Sequence, residues 1–227
     1  MIYPIMFVAG PFDPAGFQPL GFTIWKCSPK MGIFIVSKSW FPKMTRPFKT
    51  PTHSQTVMNE LVLPNDTNTL NNLMGGRLLH WMDICAAIAA QKHANRIVVT
   101  ASVDNVSFNR AIRLGNLVNM TATVTRAFQT SMEVRLEVWC ENIPQGIRHL
   151  CNQAYFTFVA VDDAGQPTAV PDLQPETPEE IQQYEGALRR RQLRLVLGGR
   201  MKPSEAHELR SIFQDLPPRD YSPETKP

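Results

Sequence analysis

Asn68-Thr69-Leu70-Asn71-Asn72-Leu73-Met74-Gly75-Gly76, continued by Arg77-Leu78-Leu79-His80-Trp81-Met82-Asp83-Ile84-Cys85-Ala86-Ala87-Ile88, is the stretch on which the fold reading turns. A polar, Asn-rich loop runs into a glycine pair. The pair opens an apolar segment in which Leu78, Leu79, Met82, Cys85, Ala86 and Ala89 recur at three- and four-residue steps, which predicts a helix from Gly75 to about Lys92. Small and apolar residues extend most of the way round it, as in a helix enclosed on several sides. One carboxylate, Asp83, interrupts that surface. A buried charge is costly without a partner or a task.

The segments around this helix read as strands. Ser54 to Leu63 is a short one, ended by Pro64. Ile97 to Phe108 is β-branched and apolar, and Leu117 to Phe128 is rich in Thr and Val. Met132, Val134, Leu136, Val138 and Cys140 alternate with polar residues, so they share one face. Ala154 to Val161 is apolar and aromatic, and Asp162-Asp163-Ala164-Gly165 closes it as a turn. One short strand, one long helix and four long strands predict an α+β domain with an antiparallel sheet curled around the helix. The outer sheet face would stay partly apolar and the edges open, which favours self-association.

The ends of the chain differ from this middle. Residues 1–50 are rich in Pro, Gly, Phe and Lys, hold Asp13 as their one acid, and show no sustained period. They read as a disordered tail or as an over-long start with translation beginning at Met44, and less well as a targeting peptide. The central domain is placed at residues 51–170 and a helical tail at 171–227. In that tail Thr177-Pro178-Glu179-Glu180 carries a capping box, with its helix running to about Leu197 and a second short one over Pro203 to Phe213. The run Arg189, Arg190, Arg191 and Arg194 reads as a solvated face at a subunit contact or as a phosphate holder. A net charge of +3 on 227 residues gives no field of the kind nucleic acid needs. No apolar run is long enough for a membrane helix. Cys27, Cys85, Cys140 and Cys151 form no CxxC pair and no zinc spacing, so core thiols in a reducing compartment are expected.

The loop and the acid together point to acyl transfer without a serine or cysteine nucleophile. Backbone N–H groups at a helix start suit an oxygen that gains negative charge. Asp83 suits a general base on water, or direct attack to give a short-lived anhydride, and Asn72 suits orienting the water or holding the substrate oxygen. The plain alternatives are an Asp83 paired with Arg77, His80 or Arg113, and an Asn72 that only shapes the turn. Seven residues separate Gly76 from Asp83, or about 10 Å along a helix. One substrate carbonyl cannot touch both, because a reacting group must come within about 3–3.5 Å. Two copies of the chain, with helices paired antiparallel, would bring one copy's acid to the other's loop. No GxSxG elbow, P-loop or GxGxxG after a strand is present. His53, His80, His93, His149 and His207 form no metal-ligand spacing, and no metal is expected.

The run Pro64-Asn65-Asp66-Thr67-Asn68, then Asn72-Leu73-Met74-Gly75-Gly76, then Met82-Asp83, resembles the hotdog-fold acyl-CoA thioesterases, most of all the cytosolic brain-type acyl-CoA hydrolases and their bacterial relatives. Val98 to Asp104, Ser131-Met132-Glu133-Val134, Val170-Pro171 and Pro175-Glu176-Thr177 resemble further segments of that family, so the likeness spans about residues 54–195. Met74 stands where the brain-type loop has His. The resemblance implies a double hotdog, as homodimer or trimer of dimers, that hydrolyses acyl-CoA in the cytoplasm. It implies Asp83 and Asn72 as the catalytic pair, given by opposite subunits, with Gly75 and Gly76 beside the substrate. No cofactor is implied, since coenzyme A is part of the substrate; nor are a nucleic acid or membrane partner. The phosphates of coenzyme A would want Arg110, Arg113, Arg148 or the Arg189–Arg194 cluster, and its pantetheine amides Thr100, Ser102 and Ser131. The alternative is a non-catalytic acyl-CoA sensor on the same fold. A hotdog dehydratase would want a His between Asn65 and Gly76, and none stands there.

Overall fold

The computed structural model describes residues 46–104, 106–108 and 110–214, so the expectations for residues 1–45 lie outside the described residues. In order they form β1 (Phe48–Lys49), α1 (Pro51–Ser54), β2 (Thr56–Leu61), α2 (Gly75–Ala94), β3 (Ile97–Asp104), β4 (Leu117–Ala127), β5 (Ser131–Asn142), β6 (Ile147–Val161), β7 (Asp172–Leu173), α3 (Pro178–Leu197) and α4 (His207–Gln214). The main sheet is antiparallel throughout, in the order β2-β4-β5-β6-β3. This is the α+β hotdog arrangement, a curled sheet around one long helix.

The period of two sets the inner face. Met120, Leu136 and Phe156 are fully buried against Met82, Cys85 and Ala86 of α2. The helix ends where Asn95 adopts a left-handed φ of 50° and its N–H donates to Gln91 O. The Asp162 turn forms as read: Asp162 Oδ1 accepts from Ala164 and Gln166 N–H, and Gly165 has φ +75°.

Several elements differ from the sequence reading. The strand at Ser54 begins later, because Pro51–Ser54 makes a helical turn in which Ser54 Oγ donates to Pro51 O and accepts from Val124 N–H. Strand β6 starts at Ile147 rather than Ala154. A turn at Asn142–Gly146, with Gly146 at φ +64°, folds residues 147–153 back onto β5. Residues 46–49 join the fold: β1 pairs with β7 in parallel, and Arg46 donates to Phe128 O at 2.7 Å. Helix α3 has the predicted capping box: Thr177 Oγ1 accepts from Glu180 N–H, and Glu180 Oε2 accepts from Thr177 N–H.

Three arginines of α3, Arg190, Arg191 and Arg194, pack onto the outer sheet face. Arg190 pairs with the fully buried Glu133 at 2.7 Å and lies 3.9 Å from the Tyr155 ring. Arg191 stacks on Phe128, and Arg194 pairs with Asp104. What periodicity marked as an open outer face is therefore partly covered by a polar clamp. Both edge strands, β2 and β3, lack an outer partner strand among the described residues.

Candidate active site

The loop before α2 is built from within. Buried Asp66 accepts from Leu63 N–H through Oδ2 and from Arg77 Nε at 2.7 Å through Oδ1, and its carbonyl accepts from Met74 N–H. Loop and first helical turn are thereby locked together. Asn68 organises the tip: its Oδ1 accepts from Leu70 N–H at 2.9 Å and Asn72 N–H at 3.2 Å. Asn71 takes φ +56° to close it. Asn72 forms a β-bridge with Arg113, and its side-chain amide makes no hydrogen bond among the described residues. Neither Asp66, Arg77 nor Asn68 stood out by composition or period, though the pairing of Asp66 with Arg77 was open to view as an acid three residues into the loop and a base one turn into the helix.

Helix α2 starts without a side-chain cap at Met74. The N–H groups of Gly75 and Gly76 have no partner among the described residues. A Cβ at Gly75 would lie 3.4 Å from the Phe108 ring, whereas one at Gly76 would meet nothing within 4 Å. The chain's own packing thus leaves the Gly76 side open, and a bare backbone there lets another group approach closely.

Asp83 sits two turns further on, half-buried. Thr100 Oγ1, on edge strand β3, donates to its Oδ1 at 2.8 Å. Arg77 is taken by Asp66, and Asp83 forms no ion pair among the described residues, so the alternative of a charge paired for structure alone does not hold. His80, one turn before it, is exposed. The surface around the acid is apolar and open: Ile84 and Ile88 of α2 and Val103 of β3 are all more than one-third exposed. The acid thus lies beside aliphatic surface of the helix and a strand edge that has no partner strand among the described residues, the kind of surface that a further contact would cover. The cavity of about 270 Å³ lined by Thr121, Thr123, Arg135 and Gln183 lies instead on the outer sheet face, away from Asp83.

The remaining sequence candidates divide. Arg110 and Arg113 are exposed on the loop between β3 and β4, and Arg148 is exposed at the β5–β6 turn with its guanidinium 4.8 Å from the Trp139 ring. All three lie at the sheet end next to the start of α2, and none forms an ion pair among the described residues. Ser131 and Ser102 are not brought to Asp83. Ser131 is on the outer face, where its Oγ accepts from Arg191. Ser102 follows a β-bulge between Thr100 and Ser102: Thr100 pairs with Phe158 of the inner face, whereas Ser102 pairs with Thr157 beside Glu133 on the outer face. The extra residue reverses the expected alternation. Burial pushes the Cys85 thiol up to about 11 and the Cys151 thiol up to about 12, which keeps both protonated near neutral pH.

A curled sheet, an uncapped helix start and a carboxylate on an open helix face define the thioesterase class of hotdog proteins. The model of the Thioesterase superfamily matches residues 70–147. A Bacillus subtilis protein named as an uncharacterized acyl-CoA thioester hydrolase, YkhA, is 40% identical over 137 residues, covering 60% of this chain and 80% of that protein. A hexameric acyl-CoA thioesterase solved without ligand is 40% identical with a TM-score of 0.64, covering 65% of this chain and 95% of that one. An acyl-CoA hydrolase from Staphylococcus aureus, solved with butyryl coenzyme A and coenzyme A, is 36% identical with a TM-score of 0.62, covering 67% and 95%. Structures of the S. aureus enzyme also exist with alanine replacing an aspartate, an asparagine 15 residues before it, and a threonine 17 residues after it. The chain belongs to the thioesterase superfamily, among the hotdog acyl-CoA thioester hydrolases.

Proposed function

We infer that this chain hydrolyses acyl-CoA to a free acid and coenzyme A in a site shared by two subunits. The observation that carries the reading is Asp83, held by Thr100 on an open apolar helix face and two turns from the helix start that would bind the substrate carbonyl. Asp83 of one subunit takes a proton from water as the water adds to the thioester carbon, or attacks that carbon itself to form an anhydride that water then opens. The carbonyl oxygen gains charge in either route, and the free Gly75 and Gly76 N–H groups of the other subunit are the donors for it. The C–S bond breaks, and the sulfur leaves as a thiolate that picks up the proton.

The sequence expectation put the amide of this site on Asn72. Two observations favour Asn68. Its Oδ1 is fixed by two loop N–H groups, which holds its NH2 as a pre-aimed donor. It also stands 15 residues before Asp83, and Thr100 stands 17 after, the spacing of the three residues replaced in the S. aureus enzyme. Arg110, Arg113 and Arg148 are cations at this end, without an ion pair among the described residues, for the coenzyme A phosphates. The helix and strand-edge surface around Asp83 pairs the subunits, with a hexamer as the larger assembly, as in the hexameric relative.

Free-thiol release from acyl-CoA esters tests the reaction. Asp83→Asn is expected to abolish turnover, with a loss of about 10³-fold or more if the acid acts on water or carbonyl, while coenzyme A binding and folding persist. Near wild-type turnover by this variant removes the mechanism. The two asparagines are separated in the same assay: Asn68→Ala is expected to lower kcat by about 10²-fold and Asn72→Ala by much less. The reverse order returns the amide to Asn72.

A further inference from the structure

Three donors that lie far apart in pattern meet at the end of the β5–β6 hairpin. Cys140 of β5 faces His149 of β6 directly, and Cys151 is the extra residue where the register shifts between Val138 and Trp139. One ligand atom from each, the two Sγ and a ring nitrogen, lie within 4.8 Å of one another. Cys140 and Cys151 are buried free thiols, whereas His149 is half-exposed and leaves a way in. Nothing in the proposed hydrolysis uses them.

We propose that Cys140, His149 and Cys151 form a three-ligand site for a soft divalent cation of the Zn²⁺ class, with water as the fourth ligand. Two thiolates and an imidazole are the donor set that selects such ions over Mg²⁺ or Ca²⁺. Bond lengths of about 2.3 Å to sulfur and 2.0–2.1 Å to nitrogen put tetrahedral ligands about 3.5–4 Å apart, so side-chain rotation closes the remaining gap. Surroundings for a charged site are present. Asn116 Nδ2 donates to Cys140 Sγ at 3.1 Å, the kind of second contact that fixes a thiolate ligand. Binding releases both thiol protons to solvent and leaves two thiolates balanced by the 2+ ion. The bound ion would clamp β5 to β6 at the place where Cys140 and Asn152 already touch the segment at Asn116 and Ser107. That segment carries Arg110 and Arg113, so the clamp stiffens the arginine-bearing end of the site.

Cobalt is the probe. The full-length protein, reduced and stripped with a chelator, is titrated with Co²⁺ and read for thiolate-to-cobalt charge transfer and tetrahedral d–d absorption. The expected result is saturation at one equivalent and bleaching by Zn²⁺. Cys140→Ser and Cys151→Ser should each weaken binding at least tenfold and dim the charge-transfer band, His149→Gln should weaken it with the band retained, and Cys85→Ser should change nothing. Circular dichroism of each variant separates lost ligands from lost fold; a variant that is unfolded is replaced by Cys→Ala at the same position. The proposal is overturned by an absent band, by a band that survives both cysteine substitutions, or by a chain that takes up no metal but forms a Cys140–Cys151 disulfide with oxidant.

Discussion

Asp83 was readable as a functional candidate because a lone carboxylate in an apolar helix has few structural excuses, and one of those is removed by Arg77, which belongs to Asp66. Its partner Thr100 was readable only through family likeness, since one threonine in a β-branched strand carries no signal of its own. Its role is testable. A hydrogen bond to a charged group contributes about 1.5–3 kcal/mol, so Thr100→Val should cost about 10- to 100-fold in kcat/KM. Thr100→Ser, which keeps the donor, should recover most of it. Equal losses in both variants would mean that packing, not the hydroxyl, matters. Ser102 marks a limit of residue-level reading. Strict alternation would set it on the face of Thr100, and a single bulged residue turns it to the other face. Nothing in Val99-Thr100-Ala101-Ser102 announces the bulge.

Among the elements, helix α2, strands β4 and β5 and the cap of α3 follow from period and capping chemistry. Contacts between elements distant in sequence do not. Glu133 looked like a solvent-facing residue of an alternating strand, yet it is fully buried under Arg190, 57 residues away. Cys140, His149 and Cys151 had no recognisable spacing because a hairpin turn, not a helix or a knuckle, brings them together. His93 is a third case. It closes α2 fully buried, and one ring nitrogen, Nε2, lies 2.9 Å from Pro171 O. Burial lowers its pKa, against the pull of the Pro171 carbonyl. The unfolded chain therefore binds the proton more readily than the folded one, and stability falls as pH drops below the ordinary histidine value of about 6.5. Thermal melts between pH 7.5 and 5 should show this fall, and His93→Gln should flatten that part of the profile while lowering stability at pH 7.5. A wild-type profile no steeper than the variant's would contradict the assignment.

For the whole molecule, the distance between Gly76 and Asp83 does what no single residue does. At about 10 Å along one helix, a substrate cannot reach both from the same chain. In the proposed reading, the open apolar surface on α2 and β3 is the contact that brings a second copy. Among the described residues no helix is long and apolar enough to cross a membrane.

Shared sites are tested most directly by mixing two inactive proteins. Asp83→Asn and Asn68→Ala chains are combined, allowed to exchange subunits, and assayed for thiol release. Mixed dimers hold one intact site, with Asp83 from one chain and Asn68 from the other. At equal mixing about half the dimers are mixed, so about a quarter of wild-type activity should return. No recovery, with exchange verified by mass-tagged subunits, would contradict a site built across the interface.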